Sequence, residues 1–165
     1  MVRKRTAVTS RGLDRLDRRI LEVLQRDGRI SYVDLAERIG LSTSPCLERV
    51  RRLEREGFIT GYHARVDPHR VGAELLIYVE ISLNYAAPDT FEQFRDAMRE
   101  IPEVQECHLV SGDFDYLLKL RVADMAAYRG LLGRILHHLP GAVRDSRTLV
   151  VMEEGDESLV VPIVG

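Results

Sequence analysis

Apolar residues recur at helical spacing three times within the first sixty positions, and then the period changes. Leu13, Leu16, Ile20, Val23 and Leu24 lie three or four apart and predict a helix that ends before Gly28. Leu35, Ala36 and Ile39 mark a shorter helix, with Ser31 and Asp34 spaced as a capping box at its start and Gly40 at its end. Leu47, Val50 and Leu53 give a third, for which Ser44 is the expected N-cap, Pro45 the first helical residue and Gly57 the stop. The segment FITGYHARVD carries β-branched and aromatic residues on both sides of Gly61, which predicts a small hairpin. Helix, short helix, tight turn, third helix and ribbon is the order of a winged helix-turn-helix, assigned to residues 13–65 behind a basic arm at 1–12.

A polar stretch with Pro68 and Gly72, residues 66–74, reads as a linker to a second domain at 75–165. There LLIYVEISL (75–83), VQECHLVSG (104–112), FDYLLKLRV (114–122) and SRTLVVM (146–152) predict strands, with SLVVPIV (158–164) a possible extra one. Between them, Phe91, Phe94, Met98 and Ile101 share one helical face, with Asp89 and Glu92 as its capping box and Pro102 as its stop. Met125, Tyr128, Leu132, Ile135 and Leu139 share another, which ends at Pro140-Gly141, and Gly112-Asp113 marks a hairpin turn. Strand, helix, strand, strand, helix, strand is a ferredoxin-like βαββαβ order, so the chain as a whole is α+β. Apolar residues on both faces of 75–83 leave one sheet face to cover, and a second copy of the chain is the expected cover.

Charge sharpens this division. The chain has a formal net charge of −2, yet residues 1–67 hold 15 basic and 10 acidic residues while 68–165 hold 9 and 16. A basic front and an acidic back assign any nucleic-acid contact to the front. The second helix of a helix-turn-helix enters the major groove with its N-terminal residues toward the bases. Those are Ser42, Thr43, Ser44, Pro45, Glu48 and Arg49, with Arg51 and Arg52 within reach of phosphate or guanine. A solvated charged face, with glutamates interleaved among the arginines, is the plainer reading of the same helix.

Catalytic chemistry finds no support. His137 and His138 are neighbours on a helix and point about 100° apart, and Cys107 and His108 face opposite sides of a strand. Neither a metal-ligand spacing nor a nucleophile motif is present, so no catalytic or metal residue is assigned. No apolar run approaches the ~20 residues needed to span a bilayer, and the two cysteines read as free thiols in a cytoplasmic setting. SGDFDYL (111–117) is either a tight turn or a cradle for a zwitterion, whose ammonium would meet a carboxylate and whose carboxylate would meet backbone N–H groups.

Four stretches together carry a family likeness: LDRLDRRILEVLQRDGRIS, GLSTSPCLERVRRLEREGFITGY, ECHLVSGDFDYLLKLRV and LLGRILHHLPGAVRDSRTLVVMEE. In order and spacing they resemble the Lrp/AsnC family of transcription regulators, from about Leu13 to Glu154. The resemblance implies a double-stranded DNA-binding regulator that activates or represses genes of amino-acid metabolism. It implies dimers assembled into octamers or larger discs associated with the nucleoid, and an amino-acid effector in place of any cofactor. The effector site implied lies between dimers and maps onto Leu109, Gly112, Asp113, Asp115 and Tyr116, with Met125, Leu149, Val150 and Val151 as walls. His137-His138 and one additional residue in GAVRDSRT depart from the family pattern, which leaves leucine, methionine, alanine or another small apolar amino acid open. An architectural DNA-bending protein without ligand control is the alternative.

Overall fold

The structure is a computed structural model that describes residues 12–85, 89–138, 141–155 and 157–164. These group into two compact units, residues 12–65 together with 157–164, and residues 66–155.

In the first unit, α1 (Arg15–Leu24), α2 (Tyr32–Ile39) and α3 (Thr43–Arg55) close on Ile20, Leu35, Ala36, Ile39, Cys46, Val50 and Leu53, all at most 2% exposed. Cys46 takes the core position expected of Leu47, which is only half-buried. A reciprocal capping box starts α1: the Asp17 N–H donates to Asp14 Oδ1 (2.9 Å) and the Asp14 N–H to Asp17 Oδ2 (3.0 Å). Ser31 caps α2 as expected, accepting from the Asp34 N–H at 3.1 Å, and Gly40 ends it at φ +78°. That left-handed turn is cheap for glycine alone and lets the chain reverse into α3.

α3 begins earlier than its sequence suggests. Ser42 is the N-cap, without a side-chain cap bond, and Ser44 and Pro45 lie inside the first turn. Proline is tolerated there because the first-turn N–H groups lack an intrahelical acceptor. The ribbon expected in 58–67 does not form as paired strands. The Phe58 and Ile59 N–H groups instead donate back to Leu53 O (2.9 and 3.1 Å), folding the chain over the end of α3. Tyr62 then packs over Gly28, donates its hydroxyl to Glu54 (3.0 Å), and has its phenol pushed up to about 12 by burial and that carboxylate.

The second unit is a four-stranded antiparallel sheet of order β2-β3-β1-β4, from β1 (Leu75–Leu83), β2 (Val104–Leu109), β3 (Tyr116–Val122) and β4 (Val143–Val150). Helices α4 (Thr90–Arg99) and α5 (Met125–His138) supply Phe94, Met98, Tyr128, Leu131 and Ile135, and Ile101 just past α4 joins them, in one core with Ile77, Val79, Ile81, Leu83, Leu118 and Leu120 of the sheet. Several boundaries differ from expectation. Asp89 is the N-cap of α4 but makes no side-chain cap bond, its carboxylate being taken by Gln93 Nε2 at 2.6 Å. The β2–β3 connection is a loop over 110–115 and not a two-residue turn, with the Val110 N–H closing it onto Asp115 O at 3.0 Å. β4 starts at Val143 and stops before Val151, leaving Met152 93% exposed. Leu139 and Pro140 lie outside the described residues. Residues 158–164 form no strand and group with the first unit.

The sheet face away from the helices is mixed rather than apolar. Leu76 and Tyr78 share it with Glu80, Arg147, Lys119 and Glu106, paired across strands as Arg147–Glu80 (3.9 Å) and Lys119–Glu106 (3.2 Å).

Candidate functional site

On α3 the side that faces the core fixes every other direction. At about 100° per residue, Ser44, Glu48, Arg51 and Arg55 fall within about 60° of one another, diametrically opposite Cys46, Val50 and Leu53. All four are exposed, as are Ser42, Thr43 and Pro45. No acid among the described residues pairs with Arg51 or Arg55.

Arg49 and Arg52 point elsewhere, toward α1. Arg49 Nη1 reaches Asp14 Oδ2 at 2.6 Å and Asp17 Oδ1 at 2.8 Å, and Arg52 Nη2 reaches Asp17 Oδ2 at 2.6 Å. Arg52 also meets Glu56 at 3.2 Å. Asp17 is 1% exposed, so its charge is neutralised inside the unit and not by solvent. Asp14, which accepts the Asp17 N–H and faces Arg49, is lowered from 3.8 to about 2. Thus two of the arginines expected at DNA brace α3 against α1, and Arg55, absent from the residues expected at DNA, completes the outward stripe. An open cleft of about 480 Å³ lies over this network between Gly12, Pro45 and Glu48. The signal in the sequence was the pair of aspartates three apart in LDRLDR, which apolar periodicity counts as polar and therefore assigns to solvent.

The residues implied for effector binding separate into two groups. Leu109, Gly112, Asp113, Asp115 and Tyr116 surround the β2–β3 loop, Leu109 being paired with Tyr116. Met125 starts α5 just past the far end of β3, and Val150 pairs with Ile77 on that same end of the sheet. Tyr116 and Val122 are six residues apart on β3, about 20 Å at 3.3 Å per residue. Leu149 and Val150 also face opposite sides of the sheet. Within one copy of the chain these groups do not line a common pocket.

Inside the loop the two carboxylates have different surroundings. Asp115 accepts the Leu83 N–H on Oδ2 (2.7 Å) and the Tyr85 hydroxyl on Oδ1 (2.8 Å), and its own N–H donates to Ile81 O (2.9 Å). It pins the loop to the end of β1, and its hydrogen bond and charge raise the Tyr85 phenol. Tyr116 is 2% exposed, with its hydroxyl on Phe91 O at 2.9 Å, and belongs to the core. Asp113 is exposed and has no hydrogen-bond or ion-pair partner among the described residues. Gly112, at φ +147°, provides the backbone freedom the loop needs. Leu109 (62%), Met125 (45%), Leu149 (38%) and Val150 (37%) are exposed apolar surface.

Among the described residues no cluster of three His, Cys, Asp or Glu could hold a metal, and no helix is long and apolar enough to cross a membrane. His108 is engaged with Glu106 (3.0 Å) and His137 with Gly133 O (2.7 Å), while the His138 side chain lies outside the described residues. Burial pushes the Cys107 thiol up to about 11.

Comparison with known proteins bears on both units. A family model for winged helix-turn-helix DNA binding matches residues 13–60, and the model for the Lrp/AsnC ligand binding domain matches residues 76–160. The leucine-responsive regulatory proteins of Klebsiella pneumoniae and Escherichia coli (strain K12) are each 65% identical over 146 residues, 88% of this chain and 88% of theirs. An AsnC family transcriptional regulator from Agrobacterium tumefaciens superimposes with a TM-score of 0.86 at 35% identity, covering 91% of this chain and 97% of that one. A transcriptional regulator from Neisseria meningitidis, solved in complex with L-Met, superimposes with a TM-score of 0.85 at 36% identity, covering 92% and 97%.

Proposed function

The chain belongs to the Lrp/AsnC family of transcriptional regulators, and we propose that it reads DNA with the outward stripe of α3 and answers to an amino acid held between copies of itself. It is a DNA-binding transcriptional regulator with a ligand-binding domain. The architectural alternative has no support among these relatives.

The observation that carries the reading is the contrast between the four arginines of α3. Arg51 and Arg55 stand exposed beside Ser44 and Glu48, whereas Arg49 and Arg52 are neutralised by Asp14 and Asp17. Free guanidinium groups suit phosphate or the guanine edge, and Ser42, Thr43 and the first-turn N–H groups suit phosphate oxygens. Glu48, exposed on the same stripe, suits a cytosine amino group as an acceptor.

The effector we assign is a small apolar amino acid, leucine or methionine first. Asp113 is the carboxylate free to meet an ammonium, and Leu109, Met125, Leu149 and Val150 are the apolar surface. Because Asp113 and Leu109 stand at one end of the sheet and Met125 and Val150 at the other, a complete site takes its halves from two copies. This favours a dimer that assembles further, to an octamer or a larger disc, on DNA in the cytoplasm at genes of amino-acid metabolism.

Retention of genomic DNA fragments at physiological salt tests this, with and without each amino acid. A short set of fragments whose retention changes with one amino acid is the expected result. Broad retention indifferent to every amino acid would overturn it.

A further inference from the structure

The C-terminal segment 157–164 has no strand partner, yet it is held by side chains of the first helix. Gln25, the C-cap residue of α1, donates from Nε2 to Val161 O (3.1 Å) and accepts the Val161 N–H on Oε1 (2.6 Å). A glutamine amide has the donor and acceptor of a peptide group, so this two-way pairing reads the tail as a neighbouring strand would. Two turns earlier on α1, Arg18 Nη1 donates to Val164 O at 3.1 Å. Both contacts are to main-chain atoms, and the side chains of Leu159, Val161 and Val164 stay exposed at 72%, 67% and 86%. The surface of α1 is therefore a receptor for an extended backbone, and its occupant is the chain's own tail.

The root of that tail is fixed in the other unit. Glu154 pairs bidentately with Arg121 of β3, Nη1 to Oε1 at 2.7 Å and Nη2 to Oε2, and lies 3.9 Å from His69 at the start of the linker. The two units are thus joined by two covalent segments, the linker and the tail, and the tail leaves from the end of β4. Residues 149–151, assigned to the effector site, lie immediately upstream of its root.

We propose that residues 157–164 are a detachable latch: docked on Gln25 and Arg18 they hold the C-terminal segment on α1, and their release changes how strongly the effector alters DNA binding. The regulatory half of this proposal rests on the effector reading above; the docking half does not. A few exposed hydrogen bonds are individually weak, and ordering the tail opposes them, so the latch exchanges between docked and released states. A segment poised in that way responds to small changes at its root.

The test uses the full-length protein and two variants. Gln25→Leu removes both bonds to Val161 at similar size, and Val161→Pro removes the donated N–H from the tail side without touching α1. Hydrogen exchange of the C-terminal peptide reads docking, DNA affinity with and without leucine or methionine reads function, and light scattering reads assembly mass. The expected result in both variants is at least tenfold faster exchange across the C-terminal peptide. DNA affinity without amino acid should stay within threefold of parent, with the amino-acid effect at least halved and the mass unchanged. Unaltered exchange, or full protection loss with an identical amino-acid effect, overturns the latch. A lost effect that always accompanies a changed mass also overturns it, in favour of assembly control. If the parent itself answers to no amino acid, the effector reading and the regulatory half fall together, and the exchange rates alone decide docking.

Discussion

Replacing Asp17 by Asn should unfold the DNA-binding unit more easily while leaving its DNA-facing stripe intact. Asp17 is 1% exposed and receives Arg49 at 2.8 Å and Arg52 at 2.6 Å. Removing one member of a buried ion pair costs about 3–5 kcal/mol, chiefly because the remaining charge is left dry. Here the remaining charges are arginines with 29% and 20% of their side-chain surface exposed, so both can turn toward water. The cost then falls to the bottom of that range or just below it, roughly 2–3 kcal/mol after discounting for that screening. Asparagine still accepts the Asp14 N–H, so the capping box adds little. For a unit of this size the loss corresponds to a fall in Tm of about 10–20 °C. Calorimetric or circular-dichroism melting of the full chain reads it. A D17N protein that melts within 2 °C of parent would refute the bracing role of the network. The same variant removes one negative charge from beside Arg49 and Arg52, which keep Asp14 and Glu56 as partners, so below its melting point its DNA affinity should equal or exceed the parent's.

The remaining expectations concern the other groups of the site. Arg51→Ala with Arg55→Ala should weaken DNA binding at least tenfold and flatten its salt dependence, by close to one unit of slope for each phosphate no longer neutralised, whereas Arg49→Ala should chiefly lower Tm; equal DNA losses in both would reverse the assignment. Asp115→Asn should destabilise the second unit by about 1–2 kcal/mol through the Leu83 N–H bond, and should let the Tyr85 phenol titrate lower, as carbon-13 NMR of the ring would read. Asp113→Asn should abolish the amino-acid effect on DNA retention without moving Tm, and an unchanged amino-acid titration would remove Asp113 from the site. Acid should loosen α1, because the folded-state pKa of Asp14 lies below its ordinary value: its contribution is full above about pH 4 and is lost as pH falls toward about 2. Helicity that stays flat across that window would contradict it.

Much of the fold was legible because apolar period and local geometry agree. The limits of β1 at 75 and 83 match the run of β-branched and aromatic residues, and Gly40 and Gly57 end their helices at φ +78° and +77°. What escaped was long-range or electrostatic. The arginines of α3 look alike in sequence, and only the approach of α1 separates Arg49 and Arg52, which are paired, from Arg51 and Arg55, which meet no acid among the described residues. Asp115 and Asp113 sit two apart in the same loop, and only the register of β1 against β3 turns one toward the Leu83 N–H and leaves the other in solvent. The tail read as a strand because SLVVPIV has strand composition. It gains no ladder because no sheet edge takes it up, and a glutamine side chain substitutes for the missing neighbour.

The candidate effector site follows the same logic one level higher. A sequence can nominate residues for a pocket without saying whether they come from one copy. Strand pairing bears on the proposed site, since the rise along β3 places Tyr116 and Val122 about 20 Å apart, more than a free amino acid can bridge. Mixed assemblies make the point testable. Asp113→Asn chains and Val150→Asp chains each lack one half of the site, so neither alone should respond to the amino acid. Equimolar mixtures, dissociated and reassembled, should recover part of the response, because some interfaces then join an intact half from each chain. If one copy supplied the whole site, every site in the mixture would carry a defect and no response would return.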